Sequence, residues 1–248
     1  MTRSPIPSTA AVLIIGNEIL TGKVRDRNIA YLATELFELG VRLRRVVVCP
    51  DEVEIIARDV SELRASHDVV FTSGGVGPTH DDVTMEAVAR ALGRELRRAP
   101  ELEQLIRGHF GSAVTESHLR MADVPEGSTL IRSGEMPWPT VAVEQVYVFP
   151  GVPEILQVKF PLLRERLRSD TRFVSRAVYV RCDEFALAVM LTEVARENPE
   201  VSIGSYLAWG QPDHRVKLTL DGVDADTVGK ALASLLSRLS KDDVVSTE

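Results

Sequence analysis

The segment Ser73-Gly74-Gly75-Val76-Gly77-Pro78-Thr79-His80-Asp81-Asp82 concentrates more chemically useful residues than any other stretch of the chain. Glycines let a backbone approach a ligand closely and adopt positive φ. Amides left free where a helix begins, helped by the helix dipole, suit a phosphate. The spacing matches neither a Walker loop nor the usual dinucleotide fingerprint. A plain glycine-rich turn is the competing explanation. The joining of Gly-Gly-x-Gly to Thr-His-Asp-Asp at a strand end favours binding, which makes Ser73, Gly74, Gly75, Gly77, Thr79 and His80 candidate phosphate ligands. Asp81 and Asp82 either cap the next helix or hold a divalent cation such as Mg²⁺, with Mn²⁺ or Co²⁺ as substitutes. Such an ion uses one or two carboxylates and completes its shell with phosphate oxygens and water.

Two further carboxylates follow strands. Asp51, in Pro50-Asp51-Glu52, reads as a helix cap, with Glu54 completing a capping-box pattern. If the sheet brings its strand next to the glycine loop, Asp51 and Asp82 would face one ligand and position a metal or a water. Glu18 and Asn17, in Gly16-Asn17-Glu18-Ile19-Leu20-Thr21-Gly22, are candidate ligand-binding groups; a loop that merely closes the strand is the alternative. Phe149-Pro150-Gly151-Val152-Pro153-Glu154 is a rigid turn suited to support or to forming a wall. Trp138 would stack on a ring or fill the core. No Gly-x-Ser-x-Gly elbow and no reactive-cysteine context is present, so nothing points to a covalent nucleophile.

The elements that must carry these loops are legible from hydrophobic spacing. Ala10–Ile15, Val46–Cys49, Asp68–Thr72 and Gln145–Phe149 read as strands, and the first is apolar throughout, as for a strand buried on both faces. Between them, helical spacing runs through 29–39, 53–63, 84–92, 100–110 and 154–168, the last with Pro161 inside it. Alternating strand and helix predicts a mostly parallel sheet covered on both faces, with ligands beyond the carboxyl ends of its strands. After a boundary near 169–171 the order becomes βαββα over 172–240, a small α+β module. Residues 1–9 read as a loose leader and 241–248 as a tail.

The bulk numbers agree with a globular chain: 248 residues, 44% hydrophobic and 26% charged. A net charge of −7 argues against general nucleic-acid binding. Two distant cysteines, Cys49 and Cys182, exclude a disulfide framework or a zinc-finger spacing. No run approaches 18 apolar residues, so no membrane span is expected and the cytoplasm is the default location.

The segments Gly16–Gly22, Val48–Val53, Thr72–Thr84 and Phe149–Glu154, in this order and spacing, resemble the molybdopterin-binding (MoaB/MogA-like) domain superfamily from Ala11 to about Leu167. Within it the chain is most similar to the N-terminal region of competence/damage-inducible proteins (CinA) and to the molybdopterin-binding-like domain of FAD synthases. The resemblance implies a three-layer α/β/α fold, a dimer or trimer, and a nucleotide or pterin phosphate near the glycine loop. It matches Asp51 and Asp82 to the superfamily's functional aspartates. It implies either metal-dependent pyrophosphatase activity on ADP-ribose or FAD, or molybdenum-cofactor handling. A non-catalytic nucleotide sensor is the third reading. Neither the amidase domain of CinA nor the synthase domain of FAD synthase is expected within these residues. Ser133–Pro139 replaces the CinA-type Gly-x-Ala-Pro-Gly segment and is nearer the FAD-synthase style.

Overall fold

The computed structural model describes residues 8–132 and 136–248 and divides into two compact units, Met1–Asp170 and Thr171–Glu248. In the first unit, β1 (Thr9–Ile15) is followed by α1 (Asn17–Leu20), α2 (Asn28–Glu38), β2 (Arg42–Cys49), α3 (Val53–Ser66), β3 (Val69–Ser73) and α4 (Thr84–Ala91). Then come β4 (Leu96–Arg98), α5 (Pro100–Phe110), α6 (Glu116–Arg120), β5 (Asp123–Pro125), β6 (Thr129–Ile131), β7 (Thr140–Val143) and β8 (Val146–Phe149). α7 (Pro153–Lys159), a 3₁₀ turn (Phe160–Leu163) and α8 (Arg164–Leu167) close the unit. Pro161 lies in that 3₁₀ turn, because its ring cannot sit within a regular α-helix.

The main sheet has the order β2-β1-β3-β8-β7-β6. Its first four strands are parallel and its last two antiparallel. β1 shows why the layers form. Ala11, Leu13 and Ile15 enter one core with residues of α3, α4 and α5, while Ala10, Val12 and Ile14 enter a second core with residues of α2 and α7. Alternate side chains point to opposite faces of a strand, so an all-apolar strand needs cover on both sides. The three-layer, mostly parallel fold is as expected. The short strands β4 to β7 are additions, since three or four residues are too few to show a period.

Register aligns the carboxyl ends. Ile15 pairs with Cys49, Ile14 with Ser73, and Ser73 with Phe149. The loops beginning at Gly16, Pro50, Gly74 and Pro150 therefore share one edge of the sheet. Two amides stitch them together: Gly16 N donates to Cys49 O (3.1 Å) and Gly74 N to Phe149 O (3.1 Å).

The second unit contains β9 (Val174–Val180), α9 (Glu184–Glu197), β10 (Ser202–Leu207), β11 (Val216–Gly222), α10 (Ala225–Arg238) and β12 (Val244–Thr247). Its sheet, β10-β11-β9-β12, is antiparallel, and one face buries Val178, Val180, Leu218 and Leu220 together with residues of α9 and α10. Residues 241–248 are not a tail. β12 pairs with β9, and Val244 lies opposite Val180. The leader reading changes too: residues 1–7 lie outside the described residues, but Thr9 opens β1, and the Ser8 and Thr9 amides both donate to Asp68. No helix among the described residues is long and apolar enough to cross a membrane.

Candidate functional site

At the shared edge of the main sheet lies a cavity of about 450 Å³, within the range of small-molecule sites. One end is formed by Gly74, Gly75 and Gly77, with Glu18 and Asp82 among the lining residues. The rest is walled by apolar side chains, including Met85, Leu102, Met121 and Trp138.

The glycine loop has this shape because only glycine permits it. Gly74 has φ +113°, and a Cβ there would lie 2.0 Å from the carbonyl oxygen of Ile15. Thr84, fully buried at the start of α4, locks the loop by donating its Oγ1 to Gly74 O (2.8 Å) and its amide to Gly75 O (3.0 Å). Gly16 and Gly77 make room for carboxylates. A Cβ on Gly16 would fall 2.4 Å from the Glu18 carboxylate, and one on Gly77 would fall 2.7 Å from that of Asp82. Both acidic groups thus rest against bare backbone beside the loop.

Asp82 is held by its own turn. Its Oδ2 accepts from the Thr79 amide (2.8 Å) and from the Thr79 hydroxyl. Arg120 braces the turn by donating to Thr79 O (3.0 Å). Neither aspartate caps α4, whose N-cap is Val83 without a side-chain bond. Thr79 serves as the clasp of Asp82 and does not line the cavity. His80 and Asp81 do not line it either: both point outward, 4.0 Å from one another, with the His80 side chain 96% exposed.

Asp51 takes a different part from the expected cap. The N-cap of α3 is Glu52, with no side-chain bond. Asp51 Oδ2 instead accepts the amide of Asn17 (2.8 Å), the first residue of α1. Asp51 and Asn17 do not line the cavity, whereas Glu18, one residue further along α1, does. The carboxylates that share the cavity are Glu18 and Asp82, not Asp51 and Asp82. Ser73 also differs from expectation. It is buried, accepts from Asn28 Nδ2 (2.9 Å) and donates to Pro150 O (3.2 Å), so it ties loops together instead of facing a phosphate.

Two residues had no place in the sequence reading. Asn28, buried at the start of α2, also donates to Gly151 O (2.8 Å) and so joins the loops after β3 and β8. Its only sequence signal was an amide immediately before an apolar helical stripe. Lys159, at the end of α7, is buried, lines the cavity, and has one hydrogen-bond partner among the described residues, Pro139 O (2.9 Å). Burial pushes its ammonium down to about 8. Burial likewise, followed by Asp59 and Asp51, pushes the Cys49 thiol up to about 12, in keeping with a core residue and not a nucleophile. Trp138 packs against the core, as one of its two expectations had it, and also lines the cavity, with its ring edge-on to His109 (5.8 Å).

The chemistry of the donor set can be tested against a divalent cation. Among the described residues no three His, Cys, Asp or Glu side chains gather to hold a metal. Glu18 and Asp82, which line one cavity with the glycine loop, are the donor type that a Mg²⁺-like ion uses when substrate phosphates and water supply the rest of its shell.

A parallel α/β domain with a glycine-walled cavity at the carboxyl edge of its sheet belongs to the class that binds ligands at that edge. Residues 11–169 match the family model described as "probable molybdopterin binding domain", and the chain belongs to that family. Residues 172–248 match a second model, "FAD synthase, middle domain". A protein of Archaeoglobus fulgidus is 34% identical over 89% of this chain and 93% of its own length. A "probable FAD synthase" of Caenorhabditis elegans is 30% identical over 96% of this chain, which spans about half (51%) of that relative. The solved CinA protein of Thermoplasma acidophilum, described as of unknown function, superposes with a TM-score of 0.61 at 30% identity, covering 64% of this chain and 98% of that one.

Proposed function

We propose that this chain hydrolyses the diphosphate linkage of a dinucleotide-type ligand such as ADP-ribose or FAD. The observation that carries the reading is that Glu18 and Asp82 line one cavity together with the glycine loop. The likeness to a probable FAD synthase and the match of residues 172–248 support a nucleotide ligand.

The amides of the Gly74–Gly77 loop would hold phosphate oxygens, and Glu18 with Asp82 would hold the divalent ion. When bound, that ion supplies charge neutralisation and a more acidic water. Water oxygen adds to one phosphorus, the bridging P–O bond breaks with its oxygen staying on the other phosphorus, and two phosphate monoester dianions form with release of water's two protons. Phosphoryl transfer of this kind is mostly positioning and charge stabilisation, so it needs no covalent nucleophile. Asp51 acts through Asn17 and is a positioning residue.

The test is incubation of purified protein with FAD or ADP-ribose and Mg²⁺, Mn²⁺ or Co²⁺, followed by chromatography of products. Release of AMP that disappears in Asp82→Asn, with an unchanged melting temperature, is the expected result. Near-normal turnover in that variant would remove Asp82 from the mechanism. The family match to a molybdopterin-binding model favours a second reading, binding of a pterin or nucleotide without turnover. It predicts tight binding and no product with any metal.

A further inference from the structure

Lys159 is a charged group in an expensive place. Its side chain is more than nine-tenths buried, and no carboxylate pairs with it among the described residues. An ammonium carries three N–H groups. One goes to Pro139 O at 2.9 Å, and among the described residues the other two meet no acceptor beside the cavity. A methionine, the residue type that lines the cavity at positions 85, 121 and 136, would fill the same space without burying a charge.

The position along α7 says which part of a ligand it meets. Val152, Ile155 and Lys159 line the cavity, whereas Leu156 and Phe160 enter the core shared with α2. Val152 follows Gly151, where a Cβ would lie 3.4 Å from Gly74, so this end adjoins the glycine loop. Lys159 is seven residues further on, roughly 10 Å of helix rise. Its carbonyl partner, Pro139, follows Trp138, and both line the cavity. Asp82 rests against Gly77 of the glycine loop, and Glu18 against Gly16. Lys159 is the one cationic side chain among the described residues lining the cavity.

We propose that Lys159 is a specificity-determining residue whose free N–H groups take a carbonyl oxygen on a flat ring lying between Trp138 and the methionines. This rests on the reading of the cavity as a diphosphate site to the extent that the phosphates occupy the glycine end. A ring bearing carbonyl oxygens satisfies the ammonium; adenine, which has ring nitrogens but no carbonyl, does not offer the same acceptor.

The test uses the full chain and three probes: riboflavin, which has ring carbonyls and no phosphate; FAD, which has both; and ADP-ribose, which has the diphosphate and no ring carbonyl. Affinities are measured for the wild type, Lys159→Met and Lys159→Gln, with thermal melts to show that the variants fold. The expected result is that Lys159→Met weakens riboflavin and FAD on the order of tenfold or more, leaves ADP-ribose within about twofold, and is partly rescued by Lys159→Gln, which keeps a donor. Equal loss for FAD and ADP-ribose would place Lys159 on the diphosphate and overturn the proposal. So would unchanged affinity for all three, or a wild type that does not bind riboflavin. Selective loss of riboflavin without hydrolysis of any substrate would uphold this proposal while the hydrolytic reading failed. Hydrolysis with no FAD selectivity would do the reverse.

Discussion

The carboxylate of Asp51 accepts the backbone amide of Asn17 at 2.8 Å, and this bond ties the loop after β2 to the first turn of α1. The next residue of that turn, Glu18, lines the cavity. Asp51→Ala removes the tie and is expected to lower kcat by roughly 10- to 100-fold through displacement of Glu18, since small misplacements cost that much. Asp51→Asn keeps an oxygen acceptor and is expected to retain most activity. Steady-state kinetics of the two variants decide the matter: an Asn variant as impaired as the Ala variant would show that the charge of Asp51 acts directly.

Gly74 and Gly77 are expected to fail differently. A Cβ on Gly74 would meet a backbone oxygen at 2.0 Å with φ at +113°, and neither can shift cheaply. Gly74→Ala should destabilise by more than about 2 kcal/mol in denaturant titration. On Gly77 the Cβ would meet the end of the Asp82 side chain at 2.7 Å. That side chain can move, so Gly77→Ala should cost under about 1 kcal/mol of stability yet lose turnover with Asp82 displaced.

Asn28 holds two loops with one amide nitrogen, donating to Ser73 Oγ (2.9 Å) and Gly151 O (2.8 Å). Asn28→Ala should cost about 2 to 3 kcal/mol, because the buried acceptors lose their donor. Asn28→Asp should be worse at pH 7, since a buried carboxylate would face the Gly151 carbonyl with no proton to offer. Chemical denaturation of both variants at pH 7 checks the order.

Lys159 sets a pH dependence of stability. Its ammonium holds a proton up to the ordinary value of 10.5 in the unfolded chain and only to about 8 in the fold. Between these values the unfolded state binds more protons, so stability rises with pH. Below about pH 8 the full penalty applies, and above about 10.5 it is gone. Lys159→Met should therefore be more stable than the wild type at pH 7, by on the order of 1 to 3 kcal/mol. The advantage should shrink through pH 8 to 10, measured by thermal melts across that range. An unchanged difference would mean that the ammonium is better solvated than its burial implies.

What the sequence determined by itself was local. The unbroken apolar run of β1 required cover on both faces, which selects a parallel, three-layer sheet. The spacing of glycines required a tight loop at the end of β3, and Gly74, Gly75 and Gly77 do line the cavity. What only the tertiary structure decided was partnership across the sheet. The order β2-β1-β3-β8 sets Gly16, Pro50, Gly74 and Pro150 along one edge, and that order cannot be read from hydrophobic period. Asp51 looked like a helix cap because the residues after it match a capping box, yet register places the amide of Asn17 against it. Ser73 and Asn28 bond one another from distant parts of the chain, and Lys159 lines the cavity while Leu156 of the same helix enters the core shared with α2. Periodicity reports which residues share a face of their own element; which groups meet across elements depends on strand order and side-chain direction, and these are fixed only when the whole core closes.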